Sequence, residues 1–280
     1  MRPSLARKHR ESEFWDCEAS AKADGDLSDA DLSTIPWEVR QEPAYRFYLQ
    51  ALGNLQGKRV LECGCGDGRL SVLLAAAGAK VYAFDISPVN VELCQRRAIA
   101  WGVSDRLAIT VADLEDLPYP DMTFDVVCGV FVLHHVNVPI AGRNVLRVMK
   151  PEGCAVFLEN SAANPVLMLG RQRLLGHFNI PRMGSPDEYP LTASEVQSLQ
   201  LFFGRVRRYF PQMIFLRLAL QRFVLAAFPA ERFPHGPFRC LGNWLWNLGP
   251  RLDDALYRVL PFFRKYSWWQ VLVLSRPMRF

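Results

Sequence analysis

The chain has 280 residues, 50% hydrophobic and 22% charged, enough to bury one sizeable core and too apolar for a disordered chain. Its net charge of +5 at pH 7 reads as a surplus spread along the sequence; without a block of like charge it argues against nucleic acid as a partner and permits attraction to an anionic membrane. Seven cysteines without framework spacing, and a start lacking an apolar signal core, point to a reducing, cytoplasmic chain with free thiols.

Residues 1–50 precede the first strong pattern. Within them and just beyond, "SDADLSTIPWEVRQEPAYRFYLQALG" predicts one or two helices, with Tyr45, Phe47 and Tyr48 near the sheet. Residues 58–63 read as a short buried strand. Residues 68–78 read as a helix closed by Gly78, and 80–87 as a second buried strand ending in Asp85. A helix follows over 88–102, with Pro88 at its start and Gly102 at its end. A third strand (107–113) ends in Asp113. "TFDVVCGVFVLHHV" supplies a fourth, 137–153 a helix and its stop, and 154–160 a fifth strand. Beyond these come a helix and long loop (166–192), an amphipathic helix (192–204), strand six (205–211) and strand seven (268–277). Alternating strands and helices at this spacing predict an α/β chain with a doubly wound, mostly parallel seven-stranded sheet, whose ligands bind at the strand C-termini.

The stretch "RVLECGCGDGRL" (59–70) is the first place to look for such a ligand. Cys63 and Cys65 are separated by one residue and no second cysteine pair follows, so a zinc site is the weaker reading, and no other metal-ligand cluster is apparent. A glycine-rich turn between strand and helix lets backbone approach a ligand and aims helix N–H groups at it. Counting from Gly64, the dinucleotide fingerprint fails, because Arg69 stands where its third glycine belongs. Asp85, about 20 residues further on, is placed to accept both hydroxyls of a ribose.

Taken in order, "VLECGCGDG", "VYAFDIS", "VADLEDLPYPDMTFDVV", "VFVLHHV" and "VLRVMKPEGCAVFLE" resemble the class I S-adenosylmethionine-dependent methyltransferases. The likeness is to the group that includes the ubiquinone/menaquinone-pathway enzymes, and it covers roughly residues 57–160. Glu62 replaces the commoner Asp before the first glycine. The resemblance implies a Rossmann-like sheet, an N-terminal segment folded as a lid, and S-adenosyl-L-methionine as cofactor. By it, Gly64, Gly66 and Gly68 pass the methionine part and ribose, with Glu62 and Cys65 in the same loop. Asp85 takes the ribose hydroxyls, and Ile86 packs on the adenine. Asp113 accepts from the adenine amino group with Leu114 beside the ring, and Val130 closes the set.

Methyl transfer from a sulfonium is an in-line displacement, so binding and alignment supply most of the acceleration. A base is needed only where the acceptor must lose a proton. His134 and His135 follow the fourth strand and are the candidates, with strand capping as the competing role. His9, His177 and His235 are dispersed, and the acidic "EDLPYPD" (115–121) reads as a solvated turn. The three parts are then a lid (1–50), a cofactor domain (51–211 and 268–280) and a hydrophobic helical insertion (212–267). That insertion carries Arg217, Gln221 and Arg222 on one helix face, and Trp244 and Trp246 further on. It suits a bilayer interface, a cover for a greasy acceptor, a homodimer surface, or a helical cap on the sheet's own core. The function expected is methyl transfer to a small, lipophilic or aromatic acceptor. The alternatives are a non-catalytic scaffold that binds the same cofactor, and an enzyme that transfers another group from it.

Overall fold

In the computed structural model, residues 5–24, 42–173, 188–214, 216–228, 232 and 235–277 are described. The apolar runs become β1 (Arg59–Cys63), β2 (Lys80–Asp85), β3 (Leu107–Val111), β4 (Phe124–Val130), β5 (Met149–Asn160), β6 (Phe203–Tyr209) and β7 (Trp269–Pro277). They form one sheet in the order β3-β2-β1-β4-β5-β7-β6. β1 runs parallel to β2 and β4, β2 to β3, and β4 to β5, while β6 and β7 pair antiparallel. Four of the five residues of β1 are buried in sequence, the signature of a parallel strand covered on both faces.

The helices are α1 (Leu5–Asp24), α2 (Pro43–Leu52), α3 (Arg69–Ala76), α4 (Pro88–Ala100), α5 (Val138–Val148), α6 (Pro165–Arg173), α7 (Ala193–Ser198), α8 (Leu216–Ala227) and α9 (Pro237–Val259). Local chemistry starts several of them. The Ser87 hydroxyl accepts from the Asn90 N–H ahead of α4, and Asn137 Oδ1 accepts from the Ile140 N–H ahead of α5. Thr192 and Glu195 close a reciprocal capping box on α7. The expected stretch 28–53 yields α2; residues 25–41, like the loop 174–187 with His177, lie outside the described residues.

Two boundaries moved for physical reasons. The fourth strand stops at Val130, because Phe131 takes a positive φ of 56° and the chain then enters a 3-10 turn over Leu133–His135. The fifth begins at Met149 rather than 154, directly after α5. Pro151 disfavours a helical Lys150 and removes an N–H, so the chain turns extended there.

The chain divides into two compact units. One comprises Met1–Glu159, Ser185–Tyr209 and Val271–Phe280, and the other Asn160–Gly184 and Phe210–Gln270. In the first, Leu61, Phe124, Val127, Leu133, Val145, Phe157 and Leu272 belong to one buried cluster around the sheet. The second holds α6, α8 and α9, and so takes in residues 160–184 besides the expected insertion 212–267. There α8 and α9 cross closely: a Cβ at Gly249 would sit 2.6 Å from Arg217 Cα. The buried Asp253 of α9 accepts the Leu216 and Arg217 N–H groups, at 2.8 Å each, and so caps α8. Among the described residues no helix is long and apolar enough to cross a membrane.

Candidate functional site

The C-terminal ends of β1, β2 and β4 open on a cavity of about 260 Å3 in the first unit. Its floor is the turn between β1 and α3, where Gly64, Gly66 and Gly68 all take positive φ (66°, 50° and 83°). At Gly68 an added Cβ would lie 2.7 Å from Cys94 Sγ and 2.9 Å from Cys94 Cα, so the turn packs directly on α4. Arg97 of α4, almost fully buried, donates from Nε to the Asp67 carbonyl at 2.8 Å and locks the turn from outside the cavity. Sequence reasoning passed over Arg97; its only signal was an arginine in a helix otherwise well supplied with apolar positions.

Asp85 sits where the sequence puts it, at the end of β2 on the cavity wall. Its Oδ2 accepts the Gly66 N–H at 2.9 Å and its Oδ1 the Ser87 N–H at 3.0 Å. Burial pushes its carboxyl above the ordinary value, and these donated N–H groups hold it back. The acid therefore stitches the glycine turn to the start of α4 while keeping one edge toward the cavity. Ile86, Asp113 and Val130 also line it. Glu62, Cys65, Gly68 and Leu114 do not. Glu62 is buried with Ser71 donating to it at 2.5 Å, and burial pushes its carboxyl well up. Leu114 belongs to the core cluster. Cys63 is pushed well up by burial, and Cys65 by its hydrogen bond with Cys94 and by burial, which leaves both thiols poor metal ligands.

The N-terminal helix covers this cavity. Arg7, Lys8, Glu11 and Trp15 of α1 line it. Lys8 Nζ lies 2.5 Å from Asp113 and 3.2 Å from Glu115; burial works against its charge, yet these two carboxylates hold its pKa above the ordinary value. Ser12 donates to the Ile86 carbonyl, Ser87 to Asp16, and Arg7 to the His135 carbonyl. The acidic turn at 115–121 is thus not wholly solvated. Glu115 is drawn in by Lys8 and accepts the Asn137 N–H at 2.7 Å.

The two histidines part company. His135 lines the cavity, with Trp15 edge-on to its ring at 5.5 Å and the Glu11 carboxylate 3.2 Å from Nδ1. His134 is buried behind it, its Nδ1 2.6 Å from Glu159 Oε2. The other oxygen of Glu159 accepts the Val132 and Leu133 N–H groups at 2.9 and 2.7 Å. One buried carboxylate thereby holds the 3-10 turn, and with it the strained Phe131 that also lines the cavity. Where the sequence showed no metal-ligand cluster, His134, His135 and Glu188 each bring a ligand atom within 4.8 Å of the others. The Nδ1 atoms of both rings already face carboxylates.

A family model described as "Methyltransferase domain" matches residues 61–157. A demethylmenaquinone methyltransferase of Clavibacter sepedonicus is 38% identical over 123 residues, 44% of this chain and 49% of that one. A ubiquinone/menaquinone biosynthesis C-methyltransferase of Cellvibrio japonicus is 33% identical over 143 residues, 50% of this chain and 57% of that one. The chain thus spans about half the length of these curated relatives. Among solved structures, geranyl diphosphate C-methyltransferase from Streptomyces coelicolor superposes with a TM-score of 0.61 at 12% identity, covering 98% of this chain and 99% of that one. That likeness is one of fold.

Proposed function

We propose that this chain, whose residues 61–157 belong to the methyltransferase domain family, transfers a methyl group from S-adenosyl-L-methionine to a small acceptor. The observation that carries the reading is the Asp85 carboxylate on the cavity wall, bonded to Gly66 of the turn and flanked by Ile86. An acidic edge beside close-approaching glycine backbone suits a ribose diol, and Ile86, Val130 and Phe131 give the same cavity apolar surface for a base.

Bound there, the cofactor supplies an electrophilic methyl carried on a sulfonium. The protein's part is to hold the two reactants in line and to exclude water. Gly64 and Gly66 admit the cofactor closely, Asp85 orients it, and α1 closes over both through Lys8 and Trp15. Asp113 serves the adenine edge only while sharing its carboxylate with Lys8. Where the acceptor must lose a proton, His135 is the base, since it faces the cavity, and the neighbouring Glu11 stabilises the imidazolium it becomes. His134 is a positioning residue, held by Glu159.

The acceptor in this reading is lipophilic or aromatic, in keeping with relatives named for demethylmenaquinone and for ubiquinone/menaquinone biosynthesis. The protein is read as cytoplasmic, with residues 212–267 meeting a lipophilic partner. Calorimetry with S-adenosylmethionine and S-adenosylhomocysteine, followed by labelled-methyl transfer into lipid and aqueous extracts, tests it. Binding of both with label entering the lipid extract is expected. Absence of binding overturns the reading, and binding without transfer into either extract favours the scaffold.

A further inference from the structure

The second unit carries an apolar helix face whose side chains stay largely exposed. Along α9, Gly242, Gly249 and Asp253 turn toward α8, in contact with Val224, Phe228 and the backbone of Arg217. At about 100° per residue, Leu241, Trp244, Leu245, Leu248, Leu252 and Val259 fall within an arc of about 100° on a different side. Four of them are exposed: Leu241, Trp244 at 58%, Leu252 and Val259 at 74%. The stripe continues past the helix into Phe262, 62% exposed, and Phe263. Isolated exposed apolar side chains are ordinary; a continuous row of this length on one helix is not.

Charge marks what the row faces. Residues 212–267 contain eight Lys and Arg against three Asp and Glu, an excess of five. The net charge of the whole chain is also +5, so the surplus read as spread along the sequence resides in this one-fifth of it, and the remainder is balanced. One of the three acids, Asp253, is buried as the cap of α8. Arg251 and Arg258 are exposed and flank the stripe on the Trp244 margin, and Arg264 and Lys265 follow Phe262 and Phe263. An apolar stripe bordered by cations and containing a tryptophan is the pattern of a helix lying in the plane of a bilayer, apolar face among the acyl chains and cations among anionic headgroups.

We propose that α9, with the turn through Lys265, is a membrane-docking surface that binds the interface of an anionic bilayer. This deepens the reading above by naming where a lipophilic acceptor is met. A second copy of the chain is the competing occupant; it would bring two copies of the same cationic margin together, which disfavours it.

The test uses the full chain with extruded vesicles of phosphatidylcholine alone, and of phosphatidylcholine with one quarter phosphatidylglycerol. Co-sedimentation is expected with the anionic vesicles, weakening as salt is raised. Leu241→Asn/Trp244→Asn and Arg251→Glu/Arg258→Glu should each lower the partition coefficient about tenfold or more. Affinity for S-adenosylhomocysteine should stay unchanged in both variants, which separates this proposal from the cofactor reading, and an unchanged helical signal in circular dichroism shows that the second unit still folds. Equal sedimentation of wild type with both vesicle types, or of the Leu241/Trp244 variant and wild type, overturns it. So does a wild-type dimer in ultracentrifugation that this variant dissociates, since a second copy would then cover the stripe.

Discussion

Gly66 and Gly68 belong to one turn, yet the structure predicts that adding a single methyl group does different damage at each. At Gly68, φ is 83° and the new Cβ would lie 2.7 Å from Cys94 Sγ and 2.9 Å from Cys94 Cα. The left-handed backbone costs a side chain about 1 kcal/mol. The overlap adds about 1–3 kcal/mol, because the nearest backbone atom belongs to α4, which Arg97 pins to Asp67. Gly68→Ala is therefore expected to lose about 2–4 kcal/mol, a large share of a typical domain's total. At Gly66, φ is 50° and the added Cβ meets nothing within 4 Å, so only the backbone cost of about 1 kcal/mol remains. That methyl would instead enter space along the cavity floor, where Gly66 is a lining residue. Urea denaturation of both variants, with calorimetric titration of S-adenosylhomocysteine, separates the outcomes. Gly68→Ala should unfold early. Gly66→Ala should unfold nearly as wild type and bind the cofactor product at least tenfold more weakly. A Gly68→Ala loss below about 1 kcal/mol, or equal losses at the two positions, would refute the argument.

Asp85→Asn leaves one of the two N–H groups that the carboxylate accepts, from Gly66 and Ser87, facing an amide NH2, so it should lose about 1–3 kcal/mol of stability and weaken cofactor binding. Burial raises the folded carboxyl above its ordinary 3.8, so the wild type alone should gain stability as pH falls toward 3.8; a difference between the two proteins that stays constant across that range would contradict it. Glu159→Ala strips two backbone N–H groups and His134 of their shared acceptor, and a loss of about 3 kcal/mol is expected in thermal or urea denaturation. His135→Ala should lower turnover with cofactor affinity intact, while His134→Gln should act mainly on stability; the reverse split, read from kcat and Kd together, would move the base to His134. Asp253→Ala removes the acceptor for the Leu216 and Arg217 N–H groups, worth about 1–2 kcal/mol, and limited proteolysis should then cut at the start of α8 sooner than in wild type.

The sequence by itself determined the sheet strands, the glycine turn and the acid at the end of β2, because each rests on short-range physics. Continuous apolar runs bury as parallel strands, glycines admit positive φ, and a carboxylate about 20 residues past the turn ends the next strand. Helix starts near 88, with Pro88 as the signal, and at 137 and 192 were legible for the same reason. What depended on distant partners was not. Nothing in "FVLHHV" announces that the strand ends at Phe131; a glutamate 27 residues beyond Val132 takes the N–H groups that would otherwise have extended it. The two adjacent histidines could not be told apart until the turn sent one to Glu159 and the other to the cavity. The polar N-terminal segment gave little periodic signal, since α1 is held by ion pairs and hydrogen bonds to Asp113, Ile86 and Ser87 rather than by an apolar stripe of its own. In the insertion, the pattern of α9 showed an apolar helix, but which of its faces stays exposed was decided only when Gly242, Gly249 and Asp253 were used against α8.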